Sequence, residues 1–150
     1  MKKAFFICIS ILCITMCANA QEKTRVLEKY VFHKLEILNS QTKEPIETFD
    51  DYKGIVFSAV VNGQEYLSIT LVNNMTFNLI IANKAEDIVE NNLKIRMYQG
   101  GENIEGMGTY TANVLFHYYL SKNANIPESI WFEINGSPYI YNMSGIVKIK

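Results

Sequence analysis

Residues 54–72 read Gly-Ile-Val-Phe-Ser-Ala-Val-Val-Asn-Gly-Gln-Glu-Tyr-Leu-Ser-Ile-Thr-Leu-Val, two runs rich in β-branched and aromatic side chains on either side of Asn62-Gly63. A two-residue type I′ turn needs positive φ at both central positions, and Asn followed by Gly tolerates it best. The turn predicts an antiparallel ribbon in which Val61 faces Gln64, Ala59 faces Tyr66 and Phe57 faces Ser68. A second Asn-Gly, at 135–136, predicts a hairpin of the same kind between Ser129–Ile134 and Tyr139–Met143. A chain pinned twice in this way is committed to antiparallel sheet.

The other segments agree. Residues 24–38 fit either one helical face (Leu27, Tyr30, Val31, Leu35, Leu38) or an alternating strand, and Tyr-Val-Phe followed by the turn residues Asn39–Lys43 favours a strand over Tyr30–Leu38. Pro45 and the acidic Glu47–Asp51 stretch predict a loop or irregular edge. Thr76–Asn83 alternates, with Phe77, Leu79 and Ile81 on one face. Lys84–Asn92 predicts one short helix or a long connection. Leu93–Tyr98 predicts a half-buried strand with Leu93, Ile95 and Met97 inward and Lys94 and Arg96 outward. Gln99–Gly108, rich in glycine, predicts a mobile loop. Thr109–Leu120 is the longest regular run, with Tyr110, Ala112, Val114, Phe116, Tyr118 and Leu120 on one face, and Ile146–Ile149 is a last short strand. The expected fold class is all-β: an antiparallel meander of about eight strands forming a barrel or sandwich, with at most one short helix.

The N-terminus has the layout of a secretory signal. Lys2-Lys3 precede the apolar run Ala4–Cys17, and Ala18-Asn19-Ala20 is a small-x-small cleavage site before Gln21. The apolar run is too short, and too soon followed by Gln-Glu-Lys-Thr, to span a membrane. A lipid anchor at Cys17 is not expected, because bulky Met16 precedes it. Removal of 20 of the 150 residues leaves 130, enough for one β-rich domain, 21–150. All three cysteines (Cys8, Cys13, Cys17) lie in the signal, so the mature chain has neither disulfide nor thiolate chemistry. Its 12 basic and 15 acidic residues give a net charge of −3, with no basic cluster for nucleic acid. The predicted location is periplasmic or extracellular.

The signal ending Ala-Asn-Ala-Gln, the hairpin Phe57–Glu65 and Gly108-Thr109-Tyr110-Thr111 are similar to pieces of small secreted β-proteins of Bacteroidota. The strand count also resembles lipocalin-like barrels, and that resemblance implies a ligand held inside a β-cup. The Gly-x-Trp of a lipocalin's first strand is missing here, since the single tryptophan is Trp131.

Catalytic patterns are sparse. His33 and His117 lack a third zinc ligand at workable spacing, and no His-x-x-x-His or Cys-x-x-Cys occurs. Glu44, Glu47, Asp50 and Asp51 match no calcium loop and read as a solvated turn. No Gly-x-Ser-x-Gly elbow is present, and the glycines near 100–108 lack the Lys-Ser/Thr of a phosphate loop. No catalytic residue, metal or cofactor is expected.

Aromatic side chains carry the remaining signal. Tyr110, Phe116, Tyr118, Tyr119, Trp131, Phe132, Tyr139 and Tyr141 are half of the mature chain's 16 aromatics and fall within 32 residues. They would serve as cross-strand pairs that hold the sheet. Alternatively Tyr110, Tyr118, Tyr119, Trp131, Tyr139 and Tyr141, large and polar-tipped, would form a binding surface. The expected function is an exported, non-catalytic binding domain for an apolar ligand, glycan or partner protein. The alternatives are an inhibitor or immunity protein acting on an extracellular hydrolase through Gln99–Gly108, and, last, a small envelope enzyme.

Overall fold

A computed structural model describes residues 24–71, 75–104, 108–122 and 124–149; the predicted signal and its cysteines lie outside the described residues. Ten strands follow one another: β1 (Thr24–Asn39), β2 (Pro45–Val61), β3 (Gln64–Thr70), β4 (Thr76–Lys84), β5 (Ile88–Glu90), β6 (Leu93–Ile104), β7 (Gly108–Tyr119), β8 (Ser129–Ile134), β9 (Tyr139–Ser144) and β10 (Val147–Lys148). No helix occurs among the described residues.

Neighbouring strands pair antiparallel in the order β1-β2-β3-β4-β6-β7-β8-β9, and β9 returns to β1, closing an eight-stranded barrel. Short β5 adds to β6, and β10 adds to β1 beside the seam. β1 is the hinge of closure. Its first half pairs with β2 and β10, while Lys34–Asn39 pairs with both β2 and β9. Register shifts at Val26/Glu28, Phe32/Lys34 and Ile37/Leu38 give this 16-residue strand the bends that a closed barrel needs.

The hairpin at Asn62-Gly63 forms as read. Asn62 (φ 50°) and Gly63 (φ 85°) are both left-handed, and Val61↔Gln64, Ala59↔Tyr66 and Phe57↔Ser68 are in register. The second Asn-Gly differs. Only Gly136 (φ 84°) is left-handed, the Ser137 amide donates to the Ile134 carbonyl at 2.9 Å, and the pairing closes at Glu133↔Ile140, so Pro138 widens the connection. A further tight turn lies where a helix or connection was expected. Asn91 (φ 46°) and Asn92 (φ 69°) join β5 to β6 as a two-residue turn between Glu90 and Leu93.

Two other expectations are corrected. Residues 45–51 belong to β2, a 17-residue strand whose acidic section pairs with Lys34–Leu38 and is kinked at Asp51 (φ 60°). The glycine-rich 99–104 segment is strand, paired to β7 as far as Ile104↔Gly108. There Gly100 and Gly101 serve close packing: a Cβ would sit 2.6 Å from the Ile80 carbonyl oxygen at one and 2.7 Å from that of Tyr110 at the other.

Alternation along each strand sends one set of side chains into the barrel. Tyr30, Phe32, Val56, Leu67, Ile69, Leu79, Val114, Phe116, Ile130, Phe132 and Met143 are all at most 2 % exposed and meet as one core. Eight strands enclose a lumen that side chains of this size fill. Aromatic rings pack edge to face through its centre, Tyr98 on Phe116 at 5.4 Å and Phe77 tilted on Phe132 at 4.8 Å. The outward face carries polar ladders. Ser68 and Asn78 bond at 2.8 Å, and amides link Asn83, Gln99, Asn113 and Asn135 across the wall. This arrangement is the reverse of a lipid-facing barrel, which is apolar outside and polar within. No helix among the described residues is long and apolar enough to cross a membrane.

Candidate functional site

With the core filled, chemistry is left to the two ends of the barrel and its outer wall. The ends differ in kind.

At the end holding the Asn62-Gly63 turn, the inward parity of β6 brings Lys94 and Arg96 into the mouth. Their register partners are Tyr118 and Phe116, both inward, and Tyr98 continues the same face. The sequence reading is therefore inverted on this strand: Leu93, Ile95 and Met97 point outward. The reason is register, because β7 has the stronger apolar face and fixes the parity of its neighbour. Arg96 donates two hydrogen bonds to Asp87, at 2.9 and 3.0 Å. Lys94 Nζ sits 4.4 Å from the Tyr118 ring centre, 3.4 Å from the Ala124 carbonyl oxygen and 4.0 Å from Asp87. Lys148, from β10, pairs with Glu28 at 3.2 Å and lies over Tyr30. Lys84 closes the ring over Tyr98 at 4.9 Å. A hollow of about 120 Å³ remains among Glu28, Lys94, Arg96, Tyr118, Ala124 and Lys148.

Protonation follows from these contacts. The Arg96 hydrogen bonds hold the Asp87 carboxyl below its ordinary range, outweighing its partial burial. Burial pushes the Tyr118 phenol up to about 12 and raises Tyr30 as well, with Tyr118 and Glu28 adding to the rise at Tyr30. Both tyrosines are thus neutral hydrogen-bond donors at physiological pH. The Tyr30 hydroxyl is buried without a hydrogen bond of regular geometry.

At the opposite end the lumen is aromatic. Phe49, Tyr52, Phe77, Tyr110 and Tyr141 are partly exposed and pack down onto the core. Tyr141 stacks on Phe132 at 5.9 Å, Tyr52 stacks on Phe32 at 5.9 Å, and Phe77 meets Tyr110 edge-on at 6.2 Å. The Tyr110 hydroxyl donates to Glu102 at 2.5 Å, and the same carboxylate oxygen accepts the Asn78 amide at 3.0 Å. Glu102 thereby satisfies a backbone donor just past Ile80↔Gly101, where pairing between β4 and β6 ends. Burial, then the hydrogen bond to Glu102, raises the Tyr110 pKa.

The six aromatic candidates from the sequence separate accordingly. Tyr110, Tyr139 and Tyr141 gather at the aromatic end, where Tyr139 is 44 % exposed. Tyr118 floors the cationic mouth. Tyr119 is exposed at its rim beside Lys122, 5.7 Å from the ring centre. Trp131 lies on the outer wall, edge-on to His117 at 5.0 Å. One contiguous surface does not hold all six. The charged mouth went unread in the sequence; its signal was Lys-x-Arg-x-Tyr at 94–98, readable only once the strand's parity is known.

The outer wall brings Ser129 Oγ within 3.3 Å of His117 Nδ1. This is a cross-strand pair (His117↔Ser129) on a convex surface, with Trp131 and not a carboxylate against the imidazole. Burial lowers the His117 pKa, with a smaller upward pull from the Ser129 backbone. Among the described residues the pair lacks the third group that orients a catalytic histidine. His33 stands on β1, which is not a neighbour of β7, and among the described residues no three His, Cys, Asp or Glu side chains gather as a metal site.

Comparisons of the chain with protein-family models, with curated proteins and with solved structures find no match.

Proposed function

We propose that the protein is an exported, non-catalytic binding domain that takes a glycan at the aromatic end of its barrel. The supporting observation is the set of partly exposed rings, Phe49, Tyr52, Phe77, Tyr110 and Tyr141, beside the Glu102 carboxylate and exposed Tyr139. Flat rings offer their faces to sugar C–H groups, while phenol and carboxylate oxygens meet sugar hydroxyls. Because Tyr30, Phe32, Phe116 and Phe132 fill the centre, such a ligand would rest on the end and would not enter the lumen as in a lipocalin-like cup.

The test is a chemical-shift titration with a panel of neutral oligosaccharides. Saturable shifts at Phe77, Tyr110 and Tyr141 are expected, with affinity reduced about tenfold or more by Tyr141→Ala or Tyr139→Ala, in line with loss of an aromatic anchor. Trp131→Ala, on the outer wall, should leave affinity unchanged. No saturable response to any sugar would overturn the reading.

The inhibitor reading draws on one observation. Of the Gln99–Gly108 stretch, 99–104 is paired to β7 as far as Ile104↔Gly108, a fixed edge for a hydrolase to meet, while 105–107 lie outside the described residues. Stoichiometric inhibition of an extracellular hydrolase, with no sugar response, would favour it.

A further inference from the structure

The cationic mouth has a composition that its internal pairing does not account for. Lys94, Arg96 and Lys148 line the hollow together with one carboxylate, Glu28; Asp87 lies behind Arg96. Three cations against two acids leave a local excess of one positive charge. Arg96 uses Nε and Nη2 on Asp87, and a guanidinium has further N–H groups beyond those two. Lys94 Nζ is the least satisfied. Its side chain is only 19 % exposed, yet among the described residues its partners are the Ala124 carbonyl at 3.4 Å, the Asp87 carboxylate at 4.0 Å and the face of the Tyr118 ring at 4.4 Å. Withdrawing an ammonium from water this far costs free energy unless an acceptor replaces the lost hydration.

We infer that this mouth is a binding site for a single oxyanion group, a sulfate, phosphate or carboxylate, held by Lys94, Arg96 and Lys148 above Tyr118. The hollow, about 120 Å³, has room for such a group. Charge-assisted hydrogen bonds from Lys and Arg are the strong ones, and the Arg fork matches a planar or tetrahedral oxyanion. Glu28 opposes the anion and competes with it for Lys148, which it pairs at 3.2 Å. The group is either a free ion or the terminus of a larger molecule reaching in past Asn125. The site lies at the opposite end of the barrel from the proposed glycan surface, so the two readings stand or fall separately.

The experiment is a chemical-shift titration of the purified protein with sodium sulfate, inorganic phosphate and acetate at constant ionic strength. At least one ion should give saturable shifts centred on Lys94–Tyr98 and Tyr118. Lys94→Met should weaken binding about tenfold or more, Glu28→Gln should tighten it, and Lys43→Met, in the turn at the far end, should change nothing. Glucose 6-sulfate and glucuronate form the second arm: tighter binding than the free ion identifies a group carried on a larger molecule, and equal binding identifies the ion itself. Absence of saturable binding to all these ligands would overturn the proposal. Unchanged affinity in folded Lys94→Met, or equal weakening in Lys43→Met, would do the same. Should Lys94→Met not fold, Glu28→Gln decides, and unchanged or weaker affinity in that variant refutes the site.

Discussion

His117 shows how much one side chain carries. It sits half-buried on the outer wall of β7, edge-on to Trp131, with Ser129 Oγ at 3.3 Å. Burial disfavours the imidazolium, so its folded pKa lies below the ordinary 6.5. The unfolded chain therefore takes up the proton first as pH falls. Stability from this group is complete above about pH 6.5 and declines as pH drops through the folded pKa. Urea midpoints at pH 7.5 and 5 should differ, and His117→Gln should remove part of that difference. An unchanged pH slope in the variant would assign the loss to other groups. In the sequence this histidine was only one of two without a ligand set. Its environment depends on which strand lies beside β7, and that is long-range information.

At the scale of elements, turns decide. Gly63 and Gly54 are both glycines of the main ribbon, yet they serve different ends. Gly63 has φ 85° and nothing within 4 Å of where a Cβ would sit, so Gly63→Val should cost only the backbone penalty, about 1–3 kcal/mol. At Gly54 a Cβ would fall 2.1 Å from Phe32 Cζ and 2.7 Å from the Thr70 carbonyl oxygen. Overpacking of that kind makes Gly54→Ala the costlier change, about 3 kcal/mol or more. Urea melts of both variants test the contrast, and a milder loss at Gly54 would contradict it. The Asn62-Gly63 turn and its register were legible because turn chemistry is local. The Asn91-Asn92 turn was passed over, since Asn-Asn is a weaker signal and its three-residue strand carries little periodicity. β6 was read from its true start at Leu93, but it was ended too early, at Tyr98, and faced wrongly. Leu-x-Ile-x-Met reads as an inward row, and only pairing with β7 reveals that Lys94, Arg96 and Tyr98 face the lumen. The candidate site suffered most from this, because half of it hangs on that parity.

Across the whole molecule, the all-β class and strand count followed from alternation, whereas barrel closure did not. Closure rests on β1 meeting β9, a pairing such as Lys34↔Ser144 that no local pattern encodes. It also makes the C-terminal strands indispensable. A chain ended at Gly136 lacks β9 and β10, exposes the edges of both β1 and β8, and uncovers Phe132 and Leu35. Such a truncation should show no cooperative urea transition, and a sharp one would mean that the open sheet suffices.

The seam has a temporal meaning as well. A ribosome finishes Thr24–Asn39 long before it reaches Tyr139, so the earliest ribbon waits for the latest. Until the tail emerges the sheet has no way to shut, and ring closure over such a span is slow. A polypeptide whose final ribbon completes the ring can seal its core only once synthesis has reached its tail.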